Sequence, residues 1–199
     1  MRASTKLRKL IDGDGIVVAP GCYDGLSARL VEAAGFPAVY VTGGGMARST
    51  GIPDMGLISM SEIAQRLAQI VDAIGIPAIA DMDTGYGNAL NARQAIKAFE
   101  RAGVAGFHIE DQTFPKRCGH YDDKSIVPTE ELCQKIRAIK DASEDPDTVL
   151  IARTDAIAVE GFDAAIDRMH AYMEAGADVA FVEAPTTEAE IEEVAKRIP

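Results

Sequence analysis

Short apolar runs alternate six times with longer amphipathic segments, and this alternation constrains the fold more than any other feature of the chain. Each run is almost continuously apolar, as expected for a parallel strand that is covered on both faces. The predicted strands are Ile16–Ala19, Ala38–Thr42, Pro77–Asp81, Gly106–Ile109, Val149–Ala152 and Val179–Val182. The predicted helices that follow them are Leu26–Ala34, Ser61–Ile74, Ala92–Ala102, Glu130–Ala142, Ala164–Ala175 and Glu188–Arg197.

Glycine follows four of these predicted helices directly, at Gly35, Gly75, Gly103 and Gly176. A helix commonly ends with its next residue in the left-handed conformation, which glycine adopts without a steric penalty. We therefore expect these four glycines to close their helices.

The polar residues of the predicted strands favour one α/β fold over another. Parallel βα units either form an open, doubly wound sheet or close into a barrel. An open sheet concentrates its site at one or two switch points, whereas a barrel collects residues from many strand ends on one rim. Here polar side chains stand at the end of nearly every strand: Thr42, Asp81, Glu110, Arg153 and Glu183.

We therefore predict a (β/α)8 TIM-type barrel in which residues 1–199 form a single domain with about six of the eight βα units. Six units cannot close such a barrel alone. The expectation is accordingly a domain truncated before its last two βα units.

Charge and cysteine usage exclude several classes of function. The formal net charge of −11 argues against nucleic acid or an anionic membrane as a partner, because both bind clustered Lys and Arg. No apolar run approaches the roughly 20 residues of a membrane span, and Met1–Leu10 lacks the apolar stretch of a signal peptide. A cytoplasmic protein is predicted. Cys22, Cys118 and Cys133 lack CxxC spacing, so neither a disulfide framework nor a structural zinc site is indicated.

Four carboxylates are candidates for a metal site. Asp81 and Asp83 flank one residue at a strand end, Glu110 ends the next strand, and Asp54 lies in an earlier loop. Acids that converge without an equal number of cations repel one another unless a divalent cation joins them, and oxygen ligands suit Mg²⁺ or, as a substitute, Mn²⁺. Any one of these aspartates could instead cap a helix or stabilise a turn. For the group, a metal site is the favoured interpretation.

The glycine run Val41–Ala47 is a weak nucleotide motif, because it has neither GxGxxG spacing nor a Walker lysine. Its backbone N–H groups can approach a carboxylate or phosphate closely. The run therefore implies only a ligand with an anionic oxygen.

Eight segments, taken in chain order, resemble one enzyme superfamily: VAPGCYDGLSARL, VYVTGGG, GIPDMGL, IADMDTGYGN, GFHIEDQ, KRCGH, IARTDA and FVEA. The chain resembles the isocitrate lyase and phosphoenolpyruvate mutase superfamily, and most closely its 2-methylisocitrate lyase and 2,3-dimethylmalate lyase type enzymes. KRCGH downstream of DMDTGYG is the most specific of these signals. The resemblance implies a barrel, a homotetramer that swaps its last helix between neighbours, and a longer chain than this one.

The resemblance also implies residue roles. The 2-oxo or 2-hydroxy acid end of a substrate would be bound by Tyr40, Thr42, Gly43 and Gly44, and its carboxylate and hydroxyl groups by Arg153 and Glu183. Gly119, beside Cys118 in the loop, would be a further substrate-binding residue. Asp81 and Asp83 would form the Mg²⁺ site, with Asp54 and Glu110 in its hydrated outer shell. Cys118 would be catalytic, with Lys116 and His120 beside it. Thr42 replaces a serine usual in methylisocitrate lyases.

The loop Phe114–Asp123 carries the chemistry that these roles require. Collapse of a 2-hydroxy acid alkoxide to a keto acid expels a carbanion, which must then be protonated. A thiol is a suitable acid when cations stabilise the thiolate left behind, and Lys116, Arg117 and His120 are the candidates in this loop. Each could also be an ordinary surface or turn residue.

The function implied is a Mg²⁺-dependent carbon–carbon lyase that cleaves a 2-hydroxy di- or tricarboxylate resembling 2-methylisocitrate. Its products would be a 2-oxo acid such as pyruvate and a second carboxylate such as succinate. Two alternatives stay open: an oxaloacetate hydrolase or decarboxylase or a carboxyphosphonoenolpyruvate phosphonomutase of the same superfamily, and a non-catalytic fragment that only binds a ligand or a partner chain.

Overall fold

A computed structural model describes residues 1–119, 121 and 123–198. The strands are β1 (Gly21–Cys22), β2 (Val39–Val41), β3 (Ala78–Asp81), β4 (Gly106–Glu110), β5 (Val149–Thr154) and β6 (Val179–Val182). The helices are α1 (Ala3–Ile11), α2 (Gly25–Ala33), α3 (Gly43–Ser49), α4 (Met60–Ala73), α5 (Ala89–Arg101), α6 (Thr129–Ala142), α7 (Ile157–Glu160), α8 (Phe162–Glu174) and α9 (Glu188–Arg197).

The six strands form one parallel sheet in the order β1-β2-β3-β4-β5-β6. Strands that follow one another in sequence are therefore neighbours in space, as in a barrel wall, and the order never reverses as it does in a doubly wound sheet. The register aligns Asp81 with His108 and Glu110 with Arg153. The sheet confirms the predicted α/β fold and brings the polar strand ends to one edge.

Side-chain caps fix where several helices begin. Asp24, Ser59, Asn88 and Thr187 each accept a hydrogen bond from the first turn of α2, α4, α5 and α9 and complete a capping box with the residue three positions later. These starts follow from local sequence.

The core lies between the sheet and its helices. Every residue of β3 and β4 is buried, as the near-continuous apolar pattern predicts for strands covered on both faces. Phe99 of α5, Phe107 of β4 and Tyr172 of α8 are among its largest fully buried side chains. Within the described residues, no helix is both long and apolar enough to cross a membrane.

One predicted strand is wrong. Ile16–Ala19 is not a strand: Ile16 is 94% exposed, and the first strand is Gly21–Cys22, which pairs with Tyr40 and Val41. The glycine run, for which no helix was predicted, begins helix α3, because the Thr42 side chain accepts from the backbone N–H of Gly45 and caps the helix.

Three of the four predicted glycine closures are confirmed. Gly35, Gly103 and Gly176 have φ values of 86°, 85° and 115°. Gly75 is the exception, because Ile74 already leaves the helix in an extended conformation and the Gly75 N–H donates to the Glu32 carboxylate.

Candidate active site

A cavity of about 380 Å³ lies at the carboxyl ends of the strands. Strand ends and the segments that follow them contribute Tyr40, Thr42, Gly44, Asp81, Arg153 and Glu183 to its lining. The loop between β4 and α6 adds Lys116, Cys118 and Gly119. The rim predicted from the strand-end polar residues is thus one continuous pocket.

Asp81 is held in place by backbone donors. The Gly43 N–H donates to Oδ2 at 3.0 Å, and the Asp83 N–H donates to Oδ1 at 3.0 Å. Burial would raise the pKa of Asp81, but His108 and Lys116 outweigh it and hold that pKa below its ordinary value. The N–H of Gly43 that the sequence offered to a ligand is therefore donated to this carboxylate.

Lys116 occupies the centre of the acid cluster. Its Nζ lies 2.5 Å from Asp54 Oδ1 and 2.9 Å from Asp83 Oδ1, and the side chain is almost fully buried. Burial opposes its charge, but Asp83 and Asp81 raise the pKa of the ammonium above its ordinary value. The loop therefore supplies one local cation to a cluster of four predicted acids.

The neighbouring Asp83 is affected in the opposite direction. Burial and the charge of Asp81 raise its pKa to about 7, against the smaller opposing effect of Lys116. Asp81 is therefore ionised at neutral pH, whereas Asp83 takes up a proton readily. One cluster thus holds two aspartates with different protonation behaviour.

His108 lies beneath the pocket and links it to Tyr40. The Tyr40 hydroxyl is 2.5 Å from His108 Nδ1, and Nε2 is 3.3 Å from Asp81 Oδ1 and 3.6 Å from Glu110 Oε2. Burial would lower the pKa of His108, but Asp81 and Glu110 raise it overall. His108 is thus buried within a strand and also contacts residues of the site.

Arg153 is fixed by carboxylates on several sides. Its Nε and one Nη donate to Asp155 at 3.0 and 2.9 Å, and the guanidinium lies 3.6 Å from Glu110 and 3.8 Å from Glu183. The Phe181 ring packs against it, with its centroid 5.3 Å from Cζ. An arginine held in this way presents a fixed positive charge to the cavity.

The loop that carries Cys118 lies directly over Arg153. A Cβ on Gly119 would collide with the Arg153 guanidinium and the Glu183 carboxylate, so only glycine permits this approach. The buried Lys124 donates to the Gly119 carbonyl at 2.8 Å and to Asp155 at 2.9 Å. Cys118 is half-buried, and its sulfur lies 3.7 Å from an Arg48 nitrogen. His120, which the sequence places beside the catalytic position, lies outside the described residues.

The donor set suits a hydrated cation better than a closed metal cage. Among the described residues, no group of three or more His, Cys, Asp or Glu side chains is arranged to hold a metal ion directly. Glu110 Oε1 is nevertheless buried without a hydrogen-bond partner beside the Asp81 and Asp83 carboxylates. Mg²⁺ prefers carboxylate oxygens, binds through one or two of them and keeps several waters. The residues therefore fit Mg²⁺ held largely through water.

Sequence reasoning missed Arg48, Lys124 and Asp155. Asp155 had a usable signal, because it follows Arg153 at the strand end by two residues. Arg48 and Lys124 had none, because their partners are distant in the sequence: Cys118 lies 70 residues from Arg48, and Asp155 lies 31 residues from Lys124.

Comparisons with known proteins agree on one family. A family model described as phosphoenolpyruvate phosphomutase matches residues 7–199. The chain is 44% identical to the 2,3-dimethylmalate lyase of Eubacterium barkeri over 100% of this chain and 69% of that protein. It is 46% identical to the 2-methylisocitrate lyase of Bacillus subtilis (strain 168), covering 98% of this chain and 64% of that protein. The chain thus spans about two thirds of the length of these relatives.

Solved structures give the same answer. The crystal structure of 2,3-dimethylmalate lyase superposes with a TM-score of 0.94 at 40% identity, covering 100% of this chain and 67% of that one. Oxaloacetate acetylhydrolase in complex with the inhibitor 3,3-difluorooxalacetate gives 0.95 at 38% identity, covering 98% and 68%. Phosphonopyruvate hydrolase in complex with oxalate and Mg²⁺ gives 0.92 at 36% identity, covering 100% and 69%. The six-stranded sheet is therefore part of a TIM-type barrel.

Proposed function

We propose that this chain, which belongs to the phosphoenolpyruvate phosphomutase family, carries the site of a Mg²⁺-dependent carbon–carbon lyase. The substrate would be a 2-hydroxy di- or tricarboxylate resembling 2-methylisocitrate, cleaved to a 2-oxo acid such as pyruvate and a carboxylate such as succinate. One observation carries the proposal: the Cys118 loop lies over a fixed arginine and beside an acid cluster. The relatives named 2,3-dimethylmalate lyase and 2-methylisocitrate lyase support it.

Arg153 and Glu183 would bind the carboxylate and hydroxyl groups of the substrate. The Arg153 guanidinium is already oriented by Asp155, so little side-chain entropy is lost when a substrate carboxylate binds. Tyr40, Thr42 and Gly44 also line the cavity, and with Gly43 they would bind the 2-oxo or 2-hydroxy acid end. Gly43 contributes by holding Asp81 through its backbone N–H.

Asp81 and Asp83 would hold the metal, with Asp54 and Glu110 around its bound waters. Mg²⁺, or Mn²⁺ in its place, when bound supplies positive charge that stabilises the substrate oxygens as they become anionic. The complex of phosphonopyruvate hydrolase with oxalate and Mg²⁺ supports this choice of ion. Lys116 would position Asp54 and Asp83 through its two ion pairs.

Cys118 would act as the general acid. The substrate hydroxyl would lose its proton to solvent, and its oxygen would form the C=O bond of the 2-oxo acid as the carbon–carbon bond breaks. The electron pair of that bond would stay on the carbon of the departing carboxylate, and the Cys118 thiol would give its proton to that carbon. Gly119 allows the loop backbone next to Cys118 to come close to Arg153 and Glu183. The role of His120 as a second catalytic residue in this loop stays a prediction from the sequence.

A panel assay tests the proposal on the protein that carries this chain. With Mg²⁺ present, we would follow the release of 2-oxo acid from 2-methylisocitrate, isocitrate and 2,3-dimethylmalate, and the hydrolysis of oxaloacetate. We expect cleavage of at least one 2-hydroxy acid that stops on addition of a chelator. If none of these acids is cleaved and oxaloacetate is hydrolysed, the lyase proposal is replaced by its first alternative.

The oxaloacetate alternative is supported by a specific likeness, the TM-score of 0.95 with oxaloacetate acetylhydrolase. A carboxyphosphonoenolpyruvate phosphonomutase is less well supported, because mutases of this superfamily generally lack the cysteine loop. The chain is nevertheless 45% identical to the Arabidopsis thaliana carboxyvinyl-carboxyphosphonate phosphorylmutase, over 98% of this chain and 59% of that protein. A fragment that only binds its ligand would bind 2-oxo acids without turning over any of them.

The remaining inferences concern assembly and location. We infer a homotetramer that takes small carboxylates as its ligands and works in the cytoplasm, and sedimentation and cell fractionation test these two properties. The prediction that residues 1–199 are one barrel domain, short of two βα units and a swapped helix, stays a prediction.

A further inference from the structure

Arg48 lies on the last turn of helix α3, beside the mouth of the cavity and opposite the Cys118 loop. One of its guanidinium nitrogens is 3.7 Å from the Cys118 sulfur, within the range of an N–H···S hydrogen bond. We propose that Arg48 is a positioning residue for Cys118, which orients the sulfur and stabilises the thiolate. The contact itself is independent of the proposed lyase function, but its catalytic meaning rests on that function.

The cations within the loop are directed elsewhere. The Lys116 ammonium forms ion pairs with Asp54 and Asp83, so its positive charge is balanced within the acid cluster. The Arg117 backbone is tied to the Gln112 side chain, and its guanidinium is directed to Asp123 at 4.0 Å. The sequence proposed both cations as partners of the thiol, whereas the observed contact comes from a different element.

Helix α3 gives Arg48 a defined position. The Thr42 side chain caps this helix, and the Gly43 N–H is bound to the Asp81 carboxylate, so the helix is anchored to the metal-site strand. A Cβ on Gly44 would lie 2.7 Å from Asp54 Oδ2 and 3.4 Å from an Arg48 nitrogen. The absence of a side chain at Gly44 therefore leaves room for the guanidinium to reach across towards the thiol.

The electrostatics agree with this geometry. The hydrogen bond to Cys118 is the largest cause of the raised pKa of Arg48, with a smaller contribution from Asp54. Among the residues that the structure describes, the charged and titratable groups around the part of the cavity that holds Cys118 are Arg48 on α3, Asp54 after α3, Arg117 and Tyr121 in the loop, and Arg153 and Glu183 near the ends of β5 and β6. The hydrogen bonds of Arg153 go to Asp155, whereas a hydrogen bond of Arg48 goes to the Cys118 sulfur.

The charge balance in the proton transfer explains why such a cation is needed. In the proposed reaction the S–H bond breaks, its proton forms a C–H bond on the carbanion, and the sulfur keeps the electron pair and a negative charge. An arginine N–H already directed at the sulfur then makes a charge-assisted hydrogen bond without moving. The thiolate recovers its proton from solvent before the next turnover.

The thiolate population can be measured without any substrate, which makes the test independent of the lyase proposal. Iodoacetamide reacts with the thiolate, and peptide mapping by mass spectrometry follows Cys118 alone between pH 5 and pH 10. Cys22 and Cys133 are buried, so their lack of reaction reports that each variant is folded. The variants are Arg48→Met, Arg48→Lys and Arg117→Met. Arg117→Met is the control, because it removes a positive charge from the loop but keeps the Arg48–Cys118 hydrogen bond.

We expect Arg48→Met to move the midpoint of Cys118 alkylation upward by about one pH unit, and so to slow alkylation near neutral pH about tenfold. Arg48→Lys should restore part of this shift, and Arg117→Met should shift the midpoint less than Arg48→Met does. An unchanged midpoint in Arg48→Met, or an equal shift in Arg117→Met, would overturn the inference.

The two proposals can fail separately. Turnover of a 2-hydroxy acid with no change of the Cys118 midpoint in Arg48→Met rejects the role of Arg48 and leaves the lyase. A shifted midpoint in a protein that cleaves no acid of the panel retains the Arg48–Cys118 interaction and rejects the lyase. Where both hold, the pH dependence of kcat should shift in Arg48→Met in the same direction as the alkylation midpoint.

Discussion

Lys124 and Asp155 form an ion pair that is withdrawn from solvent on both sides, with Nζ 2.9 Å from Oδ1 and the two side chains 1% and 0% exposed. Asp155 also accepts two hydrogen bonds from Arg153, and Lys124 also donates to the Gly119 carbonyl. One carboxylate therefore joins the Cys118 loop to the arginine of the pocket.

Lys124→Met should lower the free energy of unfolding by about 3 kcal/mol at pH 7, because it leaves a buried carboxylate with one cation instead of two. Burial would raise the pKa of Asp155, but Arg153 and Lys124 lower it. Because the pKa of Asp155 is lower in the folded than in the unfolded protein, its ionised form stabilises the fold. This stabilisation is complete above the unfolded-state pKa near 4 and is lost as the pH falls through the folded-state pKa. The difference between wild type and variant should therefore shrink below about pH 4.

Urea unfolding at pH 7 and pH 3 measures both parts of this expectation. Lys9→Met is the matched control, because Lys9 is exposed on α1. A loss in Lys124→Met no larger than in Lys9→Met would show that the buried pair contributes nothing.

Gly119→Ala should reduce kcat/KM about a hundredfold, because the added methyl group displaces the loop from Arg153 and Glu183. Faster alkylation of Cys118 should accompany the loss, since the displaced loop exposes the thiol. Steady-state kinetics and peptide mapping measure the two effects. Gly15→Ala is the control, because a Cβ there meets nothing within 4 Å. Equal kinetics in both variants would contradict the close approach.

Asp81→Asn should weaken Mg²⁺ binding by about tenfold or more, because one of very few direct carboxylate ligands is lost. Titration calorimetry with Mg²⁺, repeated with Mn²⁺, measures this in the absence of substrate. Asp72→Asn removes an exposed carboxylate from α4 and should leave the affinity unchanged. Equal affinity for Mg²⁺ in wild type and Asp81→Asn would remove Asp81 from the metal site.

Cys118→Ser should lower kcat by about a hundredfold or more, the scale of a lost general acid, while binding of Mg²⁺ and of a 2-oxo acid stays nearly intact. Turnover assays and calorimetry separate the two effects. Cys133→Ala is the control, because Cys133 is buried on α6 away from the cavity. Full turnover in Cys118→Ser would show that another group protonates the carbanion.

Sequence patterns correctly predicted those helices and strands whose own apolar residues show which face is buried. Val179–Val182 and Glu188–Arg197 match β6 and α9 residue for residue, and the strand-end positions of Asp81 and Arg153 follow from strand periodicity. Ile16–Ala19 failed because an apolar run forms a strand only where a neighbouring strand and a cover exist, and Ile16 has neither.

Long-range contacts account for what the sequence could not provide. Glycines have low helix propensity, so α3 depends on the Thr42 cap and on a carboxylate 38 residues away that accepts the Gly43 N–H. The pairing of Lys116 with Asp54 spans 62 residues and depends on the path of the loop. No local pattern encodes that path, so the positions of the cations were the least predictable part of the site.

The carboxylate shared by Lys124 and Arg153 makes loop position and ligand affinity reciprocal. A ligand that binds Arg153 more tightly while Lys124 holds the loop must stabilise that loop position by the same factor. The same coupling free energy can then be measured in two ways: as protection of the loop from proteolysis when a carboxylate ligand binds, and as the change in affinity for that ligand. A carboxylate ligand that drew Arg153 away from Asp155 would leave Lys124 as the remaining cation, among the described residues, on that buried carboxylate, and would thereby strengthen the Lys124–Asp155 contact that holds the loop.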